Sequence, residues 1–155
     1  TVNELVIRAR SASSRSASRG VSLIEVLVSV LILGIGLLGI AAMQALALGN
    51  SQSSVERTQA VIHSYSILDA MRANRDDAIA GNYSSGLICP GDAVPGAGIS
   101  GADLATWIAS VRASLQTGCA QVQNNADVFT VTVQWNDQRG SGGNAAQQVV
   151  TVSRL

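Results

Sequence analysis

From residue 21 to residue 48 the chain is apolar almost without interruption, VSLIEVLVSVLILGIGLLGIAAMQALAL, and Glu25 is its one charge. As a helix rising 1.5 Å per residue, such a run reaches about 40 Å and exceeds the roughly 30 Å hydrocarbon core of a bilayer. Gly34, Gly36 and Gly39 lie inside it. Each is less favourable than Ala by about 1 kcal/mol in a helix, so they mark a softer stretch or a face where helices approach closely. Their spacing does not include the GxxxG pair of a dedicated dimer seam. Beyond Leu48 the pattern changes. Residues 51–54 are polar, then Val61, Tyr65, Leu68 and Met71 recur at helical spacing, with Glu56, Arg57, Arg72, Arg75 and Asp76 off that stripe. Gly81-Asn82 is a plausible stop. One helix is expected over about residues 22–80, its first half suited to lipid and its second half to a protein core.

Residues 83–101 hold five glycines, both prolines and Cys89, and read as a loop. Leu104, Trp107, Ile108, Val111 and Leu115 follow at helical spacing, with Asp103 as the expected cap and Gly118 as the stop. Phe129, Val131, Val133 and Trp135 alternate with Thr130, Thr132 and Gln134, the period-2 pattern of a strand with one buried face. A Gly- and Asn-rich loop over residues 136–146 leads to a second strand over residues 148–153. The expected class is α+β: a long N-terminal helix packed on a small antiparallel sheet. Three segments follow: a basic leader over residues 1–20, a membrane segment over 21–48 and a globular part over 49–155.

Charge fixes an orientation. Arg8, Arg10, Arg15 and Arg19 precede the apolar run, opposed only by Glu4. The positive-inside rule keeps that end cytoplasmic and puts the globular part outside the inner membrane. The net charge is zero and only 13% of residues are charged, which leaves no basic field for nucleic acid. Cys89 and Cys119 both follow the apolar segment; in an oxidising compartment a disulfide between them is the expected state.

Several catalytic or metal-binding readings fail on spacing. His63 and Ser64 are adjacent on a helix and point about 100° apart, so a surface histidine is expected. No Gly-x-Ser-x-Gly elbow is present. Asp76, Asp77 and Asp92 are too scattered for a calcium loop. The two cysteines lack metal-ligand spacing and histidine partners. Trp107 and Trp135 are expected in the core. No cofactor is implied, and the chain reads as structural rather than enzymatic.

Glu25 needs a partner. A carboxylate in a membrane helix costs about 3 kcal/mol even on lenient insertion scales. A cut after Gly20 would create one, the α-amine of Val21, four residues before Glu25 or on a neighbouring chain. Here the stretch Arg19-Gly20-Val21-Ser22-Leu23-Ile24-Glu25 resembles the cleavage signal of type IV prepilins and pseudopilins. The resemblance implies that a membrane prepilin peptidase cuts between Gly20 and Val21 and N-methylates Val21, and that Glu25 aids docking into a fibre. Val21 stands where the family usually has Phe, and the proline common in the apolar segment of major pilins is absent.

A finer resemblance runs through residues 67–75, ILDAMRANR, then Gly81-Asn82-Tyr83, the helix around Trp107 and the Val133-Gln134-Trp135 strand end. These are similar to the PilV-type minor pilins, the type IV pilus modification proteins. The resemblance implies a minor pilin that primes pilus assembly near the tip. Its implied partners are the other minor pilins, the major pilin and a large tip adhesin, and it passes from inner membrane to pilus. An I-type minor pseudopilin of type II secretion remains open as an alternative. So does a soluble periplasmic binding domain behind an ordinary signal peptide cut near Ala45-Leu46-Ala47, although the apolar run is longer than the usual 7–15-residue signal core.

Overall fold

The computed structural model describes residues 20–140 and 142–155. The leader arginines, and the short amphipathic helix that residues 5–8 suggest, lie outside the described residues. The chain divides into two compact units, Thr1–Ile40 and Ala41–Leu155. In the first, the described residues form the start of helix α1, Leu23–Ala73, and every side chain there is exposed. A helix can present apolar side chains all round only to lipid or to other helices.

In the second unit, α1 continues and turns one face to a core. The buried positions are Ala60, Ser64, Ile67, Leu68 and Met71. This corrects the expected stripe: Leu68 and Met71 are buried, but Val61 and Tyr65 are 38% and 53% exposed. Hydrophobicity alone ranked Val and Tyr above Ala and Ser. The face that α1 turns to the core instead runs through Ala60 and Ser64, and the Ser64 hydroxyl donates to the Ala60 carbonyl at 2.9 Å.

The helix also ends earlier than the pattern suggested. Asn74 leaves helical geometry at φ −122°, ψ 54°, and a five-residue helix α2, Arg75–Ile79, follows. Asn74 Nδ2 donates to Asp77 Oδ2 at 3.0 Å and to Tyr83 Oη at 3.3 Å. Tyr83, wholly buried, donates its hydroxyl to Asp103. Burial, reinforced by that carboxylate, pushes the Tyr83 pKa up to about 12.

Helix α3 runs over Gly98–Ser114, six residues longer at its start than the Asp103 cap would allow. Asp103 is therefore not a cap; it lies inside α3 and serves Tyr83. The early start depends on two glycines in contact: a Cβ on Gly101 would stand 2.5 Å from the Gly96 carbonyl carbon. Leu104, Trp107, Ile108, Val111 and Leu115 are buried as their spacing predicts.

The sheet has three antiparallel strands in the order β1-β2-β3: Cys119–Asn125, Val128–Trp135 and Gln147–Arg154. The first strand was not foreseen. Its sequence CAQVQNN offers only Ala120 and Val122 as fully buried apolar positions beyond its first residue, too little for a period-2 signal. Phe129, Val131, Val133 and Trp135 are buried on the face turned to the helices. Trp107 and Trp135 are core residues as expected, 3% and 2% exposed. The β2–β3 loop lies along α1. Ser53 Oγ donates to the buried Asp137 at 2.5 Å, and Arg139 pairs with Glu56 at 2.5 Å.

Candidate processing and assembly site

Gly20 is exposed, and a Cβ built on it would meet nothing within 4 Å. Val21 is 68% exposed. Helix α1 begins at Leu23, so Gly20, Val21 and Ser22 are non-helical chain just ahead of the first turn. A peptidase needs backbone in that state, because a helical peptide bond is shielded by its own turn.

Glu25 sits in the first helical turn. Its N–H bonds to the Ser22 carbonyl at 3.0 Å, and the Val26 N–H bonds to the same oxygen at 3.2 Å. Ser29 Oγ donates to the Glu25 carbonyl at 2.7 Å. The carboxylate is exposed, and among the described residues no ion pair reaches it. A helix N-terminus favours an acidic side chain by about 0.3–1 kcal/mol. That is smaller than the cost of a charge in lipid, so a cationic partner is still required. Ser22 and Ser29 were not singled out from sequence. The Ser-x-x-Glu spacing of a capping box was the available signal for Ser22.

Around this head the side chains of Leu23, Ile24, Val26, Leu27, Val30 and Leu31 are all exposed. By length and composition α1 can cross a membrane. Gly34, Gly36 and Gly39 interrupt neither the helix nor its outline: a Cβ at any of them would stand in open space.

Far along the chain, Cys89 and Cys119 are joined in a disulfide. It ties the loop ahead of α3 to the start of β1, beside the isolated bridge between Ile88 and Ala120. Arg112 braces the same loop, donating to the Cys89 carbonyl at 2.5 Å and the Asp92 carbonyl at 3.3 Å.

His63 is not a plain surface histidine. It is half-buried where α1 meets α3, and its Nε2 lies 2.6 Å from Ser114 Oγ. Burial lowers its pKa. Ser64 is buried and engaged with Ala60, and Asp69 pairs with Arg72. These partners hold Ser64 and Asp69 away from His63, so the trio forms no catalytic relay. Among the described residues no group of three His, Cys, Asp or Glu side chains could hold a metal.

Residues 15–41 match the family described as Prokaryotic N-terminal methylation motif. No curated protein and no solved structure matches the chain. The match spans Gly20, Val21, Glu25 and most of the apolar helix. The motif supports a type IV pilin-like protein, which implies a prepilin peptidase and pilin-type partners in general. The α+β fold, a long N-terminal helix whose second half shares a core with a small antiparallel sheet, is that of a type IV pilin. The motif and helix together suit a chain anchored in the inner membrane.

Proposed function

We propose that this chain is a minor pilin of a type IV pilus, cut between Gly20 and Val21, N-methylated at Val21 and drawn into the fibre or its priming complex through Glu25. The observation that carries the reading is the placement of Glu25. A carboxylate that no ion pair reaches among the described residues stands in the first turn of an exposed apolar helix, five residues past an accessible glycine. The α-amine released at Val21 supplies a cation for this carboxylate. Residues 1–20 act as a cytoplasmic leader, residues 21–48 hold the chain in the inner membrane and residues 49–155 lie in the periplasm before assembly.

The minor role rests on the similarity of residues 67–75 and 81–83 to PilV-type minor pilins. Those residues include Asn74 and Tyr83, which shape the break after α1. The disulfide also encloses α3 rather than a loop after the sheet, unlike the usual bridge of a major pilin. Other minor pilins, the major pilin and a tip adhesin are the proposed partners, with a position near the tip. The role is structural, and no reaction is assigned to the chain.

The test is mass spectrometry of the mature N-terminus in a piliated host. The expected product begins with N-methyl-Val21, and Gly20→Val should leave the full precursor in the membrane. A mature chain beginning near Gly49 would identify an ordinary signal peptide and overturn the reading. Deleting the gene should reduce surface pili; loss of protein secretion with normal pili would assign the chain to a secretion pseudopilus.

A further inference from the structure

The β2–β3 loop meets α1 at the point where the apolar run ends. Met43, Leu46 and Leu48 are the last large apolar side chains of that run, and all three are exposed. Residues 49–54, GNSQSS, carry no apolar side chain. Gly49 lies against the Arg139 carbonyl, Ser53 holds Asp137 one turn later, and Glu56 holds Arg139. With residues 21–48 in the membrane, this contact stands in the headgroup layer. Residues 49–53 rise about 6 Å along the helix, and one headgroup layer is about 5–7 Å thick.

Beside the contact, Gln116, Thr117, Asn136, Gln138 and Arg139 line an open cavity of about 310 Å³. It gathers donors, and no carboxylate lines it. The Asn136 N–H bonds to Thr117 Oγ1 at 2.8 Å, which leaves the hydroxyl proton to donate. The Asn136 side chain is spent on Gln138, accepting its N–H at 3.0 Å and donating to its Oε1 at 3.4 Å. The amide nitrogens of Gln116 and Gln138, and Nε and Nη1 of Arg139, have no partner among the described residues. The two nearby acids are turned inward. Asp137 is buried on Ser53, and the Glu56 side chain is 12% exposed against 56% for Arg139. The guanidinium therefore offers its free edge to the outside while its counter-charge is held against the helix. The end of α3 is also quiet: the Val111 and Leu115 carbonyls accept the N–H groups of Leu115 and Gly118 at 2.8 and 2.7 Å.

We infer that this cavity binds the phosphodiester of a phospholipid in the periplasmic leaflet of the inner membrane, with Arg139 as its cation. A guanidinium has five N–H donors, so Arg139 can keep Glu56 on Nη2 and still present Nε and Nη1 to phosphate oxygens. Thr117 and the two glutamine amides supply neutral donors around the same oxygens. The single charge of a phosphodiester matches the one cation of the cavity. Below the headgroup, the exposed Leu48 and Leu46 offer apolar helix to the acyl chains. The inference rests on the membrane anchor of the pilin reading and adds a ligand to it; Gly20 and Glu25 take no part.

The experiment titrates the full-length chain, delipidated in an uncharged detergent, with short-chain phosphatidylglycerol and counts bound lipid by native mass spectrometry. One lipid is expected to bind well ahead of any others. Arg139→Gln should weaken it by about tenfold or more, as loss of a charge-assisted hydrogen bond requires. Arg57→Gln removes the same charge from an exposed site outside the cavity and should leave binding unchanged. Glu56→Gln breaks the same ion pair as Arg139→Gln but keeps the guanidinium, so binding should hold or tighten. Equal weakening by Arg57→Gln would mean diffuse surface charge, and equal weakening by Glu56→Gln would mean damage to the loop; either overturns the inference. So would equal binding of the matching diacylglycerol, which lacks the phosphate, or equal binding of free glycerol phosphate, which lacks the chains. Displacement of the lipid by an equimolar tetraglutamate peptide would assign the cavity to an acidic protein segment instead. The Gly20→Val precursor should bind like the native chain. The same spectra report the chain mass, so a mature chain beginning near Gly49 would reveal failure of the pilin reading separately from failure of this site.

Discussion

The indole Nε1 of Trp107 donates to the backbone carbonyl of His63 at 2.9 Å, joining α3 to α1 where Ser64 is buried. The tie is polar but lies in the core, so packing and hydrogen bonding act on the same side chain. Trp107→Phe keeps most of the apolar area and loses the bond; the expected cost is about 1–2 kcal/mol. Trp107→Ala also leaves a cavity and should cost about 3–5 kcal/mol. Thermal unfolding of the detergent-solubilised chain, followed by circular dichroism, checks the order of the two.

His63 makes the same junction sensitive to acid. Burial lowers its folded-state pKa below the ordinary 6.5, so the unfolded chain takes up the proton first. The stability it contributes is present above pH 6.5 and is lost as the pH falls below that value. His63→Gln should flatten the melting temperature between pH 7 and the onset of carboxylate titration. An equally steep profile in that variant would place the pH dependence elsewhere.

The Cys89–Cys119 bridge closes a separation of 30 residues around α3. On the chain-entropy model its loss costs about 3–4 kcal/mol. The double variant Cys89→Ser/Cys119→Ser should therefore melt well below the native chain. Adding reductant should lower the native melting temperature toward that of the variant, which reductant leaves unchanged.

Gly49 sets two effects against each other. In an open helix, Gly→Ala gains about 1 kcal/mol of propensity. Here a Cβ would meet the Arg139 backbone carbonyl at 2.9 Å. That oxygen belongs to the loop held by Ser53 on Asp137 and by Glu56 on Arg139, so it cannot yield freely. Overpacking of this kind costs about 1–3 kcal/mol. Gly49→Ala should lower the melting temperature, and faster hydrogen exchange over residues 136–146 would locate the damage.

For Glu25, cleavage and assembly should separate. Glu25→Ala leaves Gly20 and the non-helical segment after it intact, so normal-size mature chain is expected in the membrane. Without the carboxylate nothing fixes the axial depth of the helix, because its apolar faces slide against lipid and neighbouring helices with little preference. The variant should be depleted from sheared pili relative to the membrane pool, with Glu25→Asp intermediate. Wild-type incorporation of Glu25→Ala would remove the register role.

Sequence alone determined the apolar helix, the lone Glu25 after Gly20 and the two strands over the 129–135 and 148–153 regions. Each rests on composition or on a period long enough to repeat within one element. Tertiary structure decided what depends on a neighbour. Ala60 and Ser64 lie in the core in place of Val61 and Tyr65 because the face that α1 turns inward is set by the elements it meets, Trp107 of α3 bonding to the His63 carbonyl among them. Asp103 became the acceptor of Tyr83 rather than a cap because the Gly96–Gly101 contact let α3 start earlier. Strand β1 formed from a polar sequence because β2 and the Ile88 segment supply hydrogen bonds on both of its edges. A periodicity argument sees one element at a time, and each of these outcomes was set by the second element in the pair.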